Sequence, residues 1–220
     1  MENYNPKLIL SAAISVDGKI ATIKGDSKLS SKKDLTRLHR LRSQVDAILI
    51  GKNTVEIDDP ILTVRYAKGK NPIRIILDSK GTISENSLIL KTSNKVPTII
   101  VVSQKITKKN LQKLKNFPVE IITIGKNQIN VKLLLKILGQ KKIKTILLEG
   151  GGTINWEFIK NNLIDEFFIT ITPFILGGQK AISLVQGEGF RTVQTSTKLS
   201  LKGIKRLEND LVLNYTKLKN

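Results

Sequence analysis

Two apolar runs in this chain stop abruptly at glycine, and together they restrict the fold more than any other feature. The first reads Ala47-Ile48-Leu49-Ile50-Gly51. It is followed by Lys52-Asn53-Thr54 and then by Asp58-Asp59-Pro60-Ile61-Leu62-Thr63-Val64-Arg65. The second reads Thr145-Ile146-Leu147-Leu148-Glu149 and runs into Gly150-Gly151-Gly152-Thr153. A β-branched run ending in glycine presents backbone N–H groups at the carboxyl end of a strand. Open α/β sheets take phosphorylated ligands at that edge. Two such edges, with Thr, Asp, Arg and Glu close by, point to one pocket for two ligands.

The remaining patterns alternate between strand and helix. Strands are predicted over residues 7–14, 47–50, 73–77, 98–102, 120–124, 145–148 and 166–171, the last stopping before Pro173. Ser31-Lys32-Lys33-Asp34 has capping-box spacing, and Leu35, Leu38, Leu41 and Arg42 follow at helical intervals. Further helices are predicted over about 108–115, over 131–138 with Gly139 as C-cap, and over 155–161. The tail alternates over 199–207 and 211–218 and turns at Glu208-Asn209-Asp210, which reads as a hairpin. This order predicts an α/β fold with a mostly parallel central sheet and an antiparallel edge hairpin at the C-terminus. The loop Lys68-Gly69-Lys70-Asn71-Pro72 is too short for a domain boundary, so one domain is expected over residues 1–220.

Composition removes several kinds of chemistry. There is no cysteine, which excludes thiolate catalysis, disulfides and cysteine metal sites. His39 is the only histidine, so no histidine cluster binds a metal and most Ser-His-Asp arrangements are excluded. No apolar run is long enough to span a membrane, and Met1-Glu2-Asn3-Tyr4-Asn5-Pro6 lacks a secretory region; a cytoplasmic protein is expected. The formal net charge of +19 admits nucleic acid as a partner. Against this, the lysines are dispersed, and aromatic residues at 5% offer few stacking platforms. Anionic small ligands are the favoured reading.

Residue by residue, the glycine turn at 150–152 is read as an anion nest at a helix N-terminus, against a plain tight turn. Asn155 stands where a dinucleotide fingerprint would place its last glycine, so a Rossmann domain is not supported. Asp58 and Asp59 resemble a metal pair, but adjacent carboxylates point apart and no third ligand is evident. One is expected to cap a turn, the other to accept a ligand hydrogen bond. Arg42 and Arg65 are read either as surface residues or as bidentate phosphate ligands. His39 is taken as a surface or interface residue, Trp156 as core, and Glu149 as a residue that orients a substrate or stabilises its loop.

Taken together, the segments resemble the riboflavin-biosynthesis reductase family. The residues carrying the resemblance are Ser15-Val16-Asp17-Gly18-Lys19-Ile20-Ala21, Leu41-Arg42 with Asp46-Ala47-Ile48, Gly51 with Thr54, and Asp58-Asp59-Pro60-Ile61-Leu62-Thr63-Val64-Arg65. Further on come Pro72-Ile73-Arg74-Ile75-Ile76-Leu77-Asp78-Ser79, Leu148-Glu149-Gly150-Gly151-Gly152-Thr153-Ile154-Asn155, Leu163-Ile164-Asp165-Glu166, and Pro173 with Leu176-Gly177-Gly178. The match is loosest at Gly25-Asp26-Ser27-Lys28-Leu29, which is one residue shorter than the bacterial form and lacks its tryptophan.

The resemblance implies a dihydrofolate-reductase-like fold and NADPH as hydride donor, with NADH as the alternative. The implied substrate is 2,5-diamino-6-ribosylamino-4(3H)-pyrimidinone 5′-phosphate, reduced to the ribitylamino product. It places cofactor contacts on Ala13, Thr54, Asp58, Ser79, Gly151, Gly152, Thr153, Ile154, Asn155, Trp156 and Glu157. Substrate contacts fall on Ser27, Arg42, Leu62, Arg65 and Glu149. Asp17 and Asp58 are the catalytic candidates, beside Lys19 and water, and no metal is expected. The family usually forms homodimers. Bacterial bifunctional members carry a zinc deaminase with an H-x-E…P-C-x-x-C signature, which a chain without cysteine lacks. The deaminated uracil analogue and other substrates of dihydrofolate-reductase-like enzymes remain alternatives, as does a basic nucleic-acid-binding protein.

Overall fold

The computed structural model describes residues 5–218. Met1-Glu2-Asn3-Tyr4, read above for a secretory region, lies outside the described residues, as do Lys219 and Asn220. The strands are β1 (Lys7–Ile14), β2 (Lys19–Ala21), β3 (Ala47–Gly51), β4 (Ile73–Leu77), β5 (Thr98–Val102), β6 (Glu120–Thr123), β7 (Thr145–Gly150), β8 (Glu166–Ile171), β9 (Ile182–Ser183), β10 (Leu199–Leu207) and β11 (Asp210–Lys217). The helices are α1 (Lys32–Ser43), α2 (Lys52–Asp58), α3 (Leu88–Lys91), α4 (Lys108–Lys115), α5 (Val131–Gln140) and α6 (Gly152–Lys160).

Nine strands form one sheet in the order β10-β11-β8-β1-β7-β3-β4-β5-β6. Pairing is parallel from β8 across to β6 and antiparallel at the β8–β11 and β11–β10 junctions. The C-terminal hairpin thus lies on one edge of a parallel sheet, as the sequence pattern predicts. Strand β7 enters between β1 and β3, with Leu148 beside both Leu10 and Leu49, and Gly150 beside Ile50. The two glycine-ended strands are therefore neighbours. No helix among the described residues is long and apolar enough to cross a membrane.

Alternate residues of each strand feed opposite layers, because successive side chains point to opposite faces. Leu8, Leu10, Leu49 and Leu148 pack with Leu134 and Leu138 of α5 and Phe158 of α6. Ile9, Ile48, Ile50 and Leu147 pack with Val55 of α2, Ile89 of α3 and Leu114 of α4. Burial on both faces explains why the central strands read as continuous apolar runs.

Local signals hold with specific departures. Ser31 caps α1 by accepting the Asp34 N–H at 3.2 Å. The Asp34 carboxylate does not reach back to complete the box. It accepts instead from Ser30, Arg37 and Thr170, each at 2.7 Å, because it is buried against β8. Gly139 is not the C-cap of α5; it is buried inside the helix, and Lys142, at φ 64°, takes the left-handed conformation beyond its end. Helix α6 begins at Gly152, three residues before the predicted start. Residues 52–54, which follow the first glycine stop, open the helix α2. The turn Ser15–Lys19 leads into β2, which pairs with β9 as a separate arm.

Arg74 on β4 is fully buried. Its guanidinium donates to the Thr98 and Thr92 hydroxyls and to the carbonyls of Ile61, Ile89 and Val96. No carboxylate pairs with it among the described residues, and burial pulls its pKa down to about 10. One side chain thus ties β4, β5 and α3 to the loop that follows α2. Replacing Arg74 with methionine is expected to destabilise the fold by about 2–4 kcal/mol, because it strips buried acceptors of their donor. Arg74→Lys should recover little, since one ammonium cannot span that set of acceptors. Urea unfolding of the parent and both variants measures it.

Candidate active site

The carboxyl ends of β1, β3, β4 and β7 open on one cavity of about 980 Å³. Helix α1, helix α2, the loop 59–65 and the segment around Ile182 to Gln186 complete its walls. This is the edge where a parallel sheet exposes its strand ends, at the point where β7 interrupts the strand order.

One side of the cavity is built from the two glycine turns. Thr54 Oγ1, in the first turn of α2, accepts the Gly151 N–H at 3.1 Å and stitches the turns together. Gly150 has φ 92°, and its peptide bond to Gly151 is cis. A Cβ on Gly51 would meet Ile154 at 2.5 Å, so Gly51 lets α6 approach β3. A Cβ on Gly152 would meet the Ser183 carbonyl oxygen at 2.5 Å, so Gly152 is required by the packing of β9. Gly151 differs: a Cβ there would find only Thr54 Oγ1, at 3.5 Å. The first N–H groups of α6 have no intrahelical acceptor, as in any helix, and no N-cap side chain accepts from them. Asn155 donates to the Leu184 carbonyl at 2.7 Å, while its Oδ1 is buried with no partner among the described residues.

The opposite side is electrostatic. Arg42 and Glu149 form a two-pronged ion pair, Nε to Oε1 at 2.8 Å and Nη2 to Oε2 at 2.6 Å, both side chains about nine-tenths buried. Burial pulls the Arg42 pKa down, but the Glu149 charge and hydrogen bonds outweigh it and hold the guanidinium above its usual value. Arg42 Nη1 donates to the Thr63 carbonyl at 3.2 Å. Arg65 lines the same cavity, is exposed, and has no carboxylate partner among the described residues. Its Nη1 donates to Thr63 Oγ1 at 3.2 Å. Between these residues Leu62 is 2% exposed at φ 53°, a costly backbone state for a leucine. Arg74 holds the carbonyl just before it, at 3.2 Å.

A profile of the family described as the RibD C-terminal domain matches residues 6–213. The chain belongs to that family. Within it, the chain is 38% identical over 214 residues to the 2,5-diamino-6-ribosylamino-4(3H)-pyrimidinone 5′-phosphate reductase of Methanothermobacter thermautotrophicus. That alignment covers 96% of this chain and 98% of the relative. The Aquifex aeolicus protein of the same name is 38% identical over 202 residues, with 90% of each chain covered. RibD of Acinetobacter baumannii superposes with a TM-score of 0.84 at 26% identity. It covers all of this chain, which spans 60% of that one. Dihydrofolate reductase of Enterococcus faecalis, at 12% identity and TM-score 0.57 over 97% of both chains, shows the same fold.

In this RibD C-terminal domain fold, most residues singled out from sequence meet in the one cavity. Ala13, Ser27, Arg42, Thr54, Asp58, Leu62, Arg65, Ser79, Glu149, Gly151, Gly152, Thr153, Ile154 and Asn155 all line it. Ser27 donates to Asp58 Oδ1 at 2.7 Å. Desolvation and the Asp26 charge raise the Asp58 pKa against the Ser27 bond, so this carboxyl sits above its usual value. Asp59 also lines the cavity, where its carboxylate accepts the Leu88 N–H at 2.8 Å and its backbone closes α2 in a left-handed conformation.

Four of the expected residues do not line the cavity. Trp156 is buried edge-on against Phe190, with Gly187 close over its indole ring. Glu157 pairs with Lys160 at 2.7 Å on the outer face of α6. Asp17 accepts from Ser15 at 2.6 Å, Leu176 at 3.0 Å and Gly177 at 2.8 Å; these bonds lower its pKa to about 2. Lys19, for its part, donates to Ser183 at 3.0 Å across the β2–β9 arm.

His39 corrects the sequence reading. It is not a surface residue; it is 1% exposed, beneath Arg42 and beside Tyr66. Its spacing held the clue: it lies four residues after Leu35 and three before Arg42, on the helix face turned inward. Desolvation first, then the charges of Arg42 and Arg65, depress its pKa to about 4 against the opposing pull of Glu149. A depressed histidine pKa means that the unfolded chain takes up the proton first. Stability from this group is complete above about pH 6.5 and falls as pH drops toward 4. Thermal melts of the parent are expected to decline across that window by the slope of one proton. His39→Gln should lack that component.

Proposed function

We propose that this chain reduces 2,5-diamino-6-ribosylamino-4(3H)-pyrimidinone 5′-phosphate to its ribitylamino product, with NADPH as donor. The observation that carries the reading is the division of a single cavity into a glycine-built half and an arginine-built half. Support for the amino substrate comes from the two 38% identical relatives of that name, which match over 98% and 90% of their own length.

The glycine half suits a dinucleotide. Gly151 leaves its Cβ position open, α6 offers uncapped N–H groups, and Asn155 adds an unpaired acceptor at the same turn. Thr54, Asp58, Ser79, Ala13 and the start of α6 would hold the cofactor there. When bound, a reduced nicotinamide supplies the hydride that the open-chain form of the sugar accepts at C1′. The protein's part is alignment and exclusion of water. Glu149, held by Arg42, orients the pyrimidine through its remaining lone pairs. Arg65, without a carboxylate partner, binds the 5′-phosphate, and Ser27 and Leu62 close the space between. Of the two carboxyl candidates, only Asp58 faces this cavity, and its raised pKa suits proton exchange.

Purified protein with NADPH and the diaminopyrimidinone substrate should consume the reduced-nicotinamide absorbance, faster than with NADH or with the uracil analogue. Absence of turnover with either pyrimidine would sink the assignment. Arg65→Ala is expected to raise the substrate KM about 10- to 100-fold, the loss of one charge-assisted contact, while NADPH affinity holds. A loss confined to NADPH binding would contradict the placement of Arg65.

We also propose a homodimer through the hairpin edge. Strand β10 is an edge strand of the sheet among the described residues and exposes Leu199 at 37%, Leu201 at 47% and Ile204 at 61%. Apolar edge strands of this kind invite pairing with another chain. Sedimentation should give a dimer, and Ile204→Lys should shift it toward monomer; a monomeric parent would refute the proposal.

A further inference from the structure

Helix α1 carries His39 one turn before Arg42, inside the wall of the cavity. Its Nδ1 accepts the backbone N–H of Arg65 at 2.8 Å. A neutral imidazole that accepts at Nδ1 carries its proton on Nε2. The approach of Nε2 to Arg42 Nη1, at 3.4 Å, is then a meeting of two donors; Nη1 gives a proton to the Thr63 carbonyl at 3.2 Å. Tyr66 meets the imidazole edge-on, ring centroids 4.7 Å apart. The segment 63–66 is thus pinned to α1 at two points, Thr63 by Arg42 and Arg65 by His39.

The pin at Arg65 matters because little else restrains that residue. Its guanidinium is exposed, lies 5.9 Å from the Tyr66 ring centroid and, among the described residues, hydrogen-bonds only to the Thr63 hydroxyl. An arginine side chain on a loose backbone loses much freedom on binding an anion, whereas one on a fixed backbone loses less. Protonating His39 would remove the lone pair that holds Arg65 and set a second cation beside Arg42. Burial and the two flanking arginines, Arg42 and Arg65, oppose that, with Glu149 as the one carboxylate acting the other way.

We propose that His39 is the positioning residue of the phosphate arm: its neutral ring fixes the backbone of Arg65 relative to Arg42, and so gives the site its preference for a phosphorylated sugar. This rests on the reading of Arg65 as the phosphate ligand. The test compares turnover of the 5′-phosphate substrate with that of its dephosphorylated form, in the parent and in His39→Leu, His39→Gln and Arg65→Ala. His39→Leu is expected to lower the preference for phosphate ~10-fold through KM, one buried hydrogen bond's worth, with the NADPH Kd unchanged. His39→Gln should recover most of it, because its amide oxygen can accept the Arg65 N–H.

If His39→Leu keeps the preference while Arg65→Ala loses it, the positioning role is overturned and the phosphate reading stands. If both keep it, the phosphate reading fails and this inference fails with it. His39 is the only histidine, so nitrogen NMR of its ring gives a second measurement that needs no variant. The expected signature is an Nε2–H tautomer whose resonances move on titration with ribose 5-phosphate. An Nδ1–H tautomer, or a ring unaffected by ribose 5-phosphate, overturns the proposal.

Discussion

Strand β7 enters the sheet between β1 and β3 after the chain has already built β4, β5 and β6, and the parallel pairing of β7 with β3 governs everything at the site. It sets Gly150 beside Ile50, brings Gly151 under Thr54, and delivers Glu149 to Arg42. Each of these contacts joins residues about 100 positions apart in sequence. A one-residue slip of β7 would turn Leu147 and Leu148 to the wrong layers, so burial on both faces fixes the register that the site needs. The chemistry at the strand ends therefore rests on apolar packing below it.

Above that packing, the polar groups are organised around three guanidinium groups with different neighbours. Arg74 is buried among carbonyls and hydroxyls and fastens the loop before Leu62. Arg42 is paired with Glu149, which keeps both charges in place at the cavity wall. Arg65, among the described residues, hydrogen-bonds through its guanidinium only to the Thr63 hydroxyl and has no carboxylate partner. The order of commitment, from fully satisfied to free, follows the path from the sheet interior to the cavity. Arg74 and Arg42 hold the wall, and Arg65 stands on the loop that they hold.

The glycine turn shows how one motif divides its work. Read as a string, Gly150-Gly151-Gly152 looks like three equivalent openings for an anion. In the fold, Gly150 supplies a positive φ, Gly152 clears the Ser183 carbonyl, and Gly151 alone leaves its Cβ position open toward Thr54. The distinction depends on β9, a two-residue strand with no pattern of its own in the sequence.

The amino-acid sequence by itself determined the alternation of strands and helices, the parallel sheet with its C-terminal hairpin, and the residues that converge on the cavity. It could do so because apolar periodicity, glycine stops and the Ser31 cap are local signals that burial on two faces preserves. Only the tertiary structure decided that Arg42 is spent on Glu149, that Asp34 turns from its helix cap to Thr170, that Glu157 faces away, and that His39 lies inside. Those outcomes depend on which distant group fills the space beside a side chain, and a charge or a ring carries no mark of its eventual neighbour until the sheet has closed.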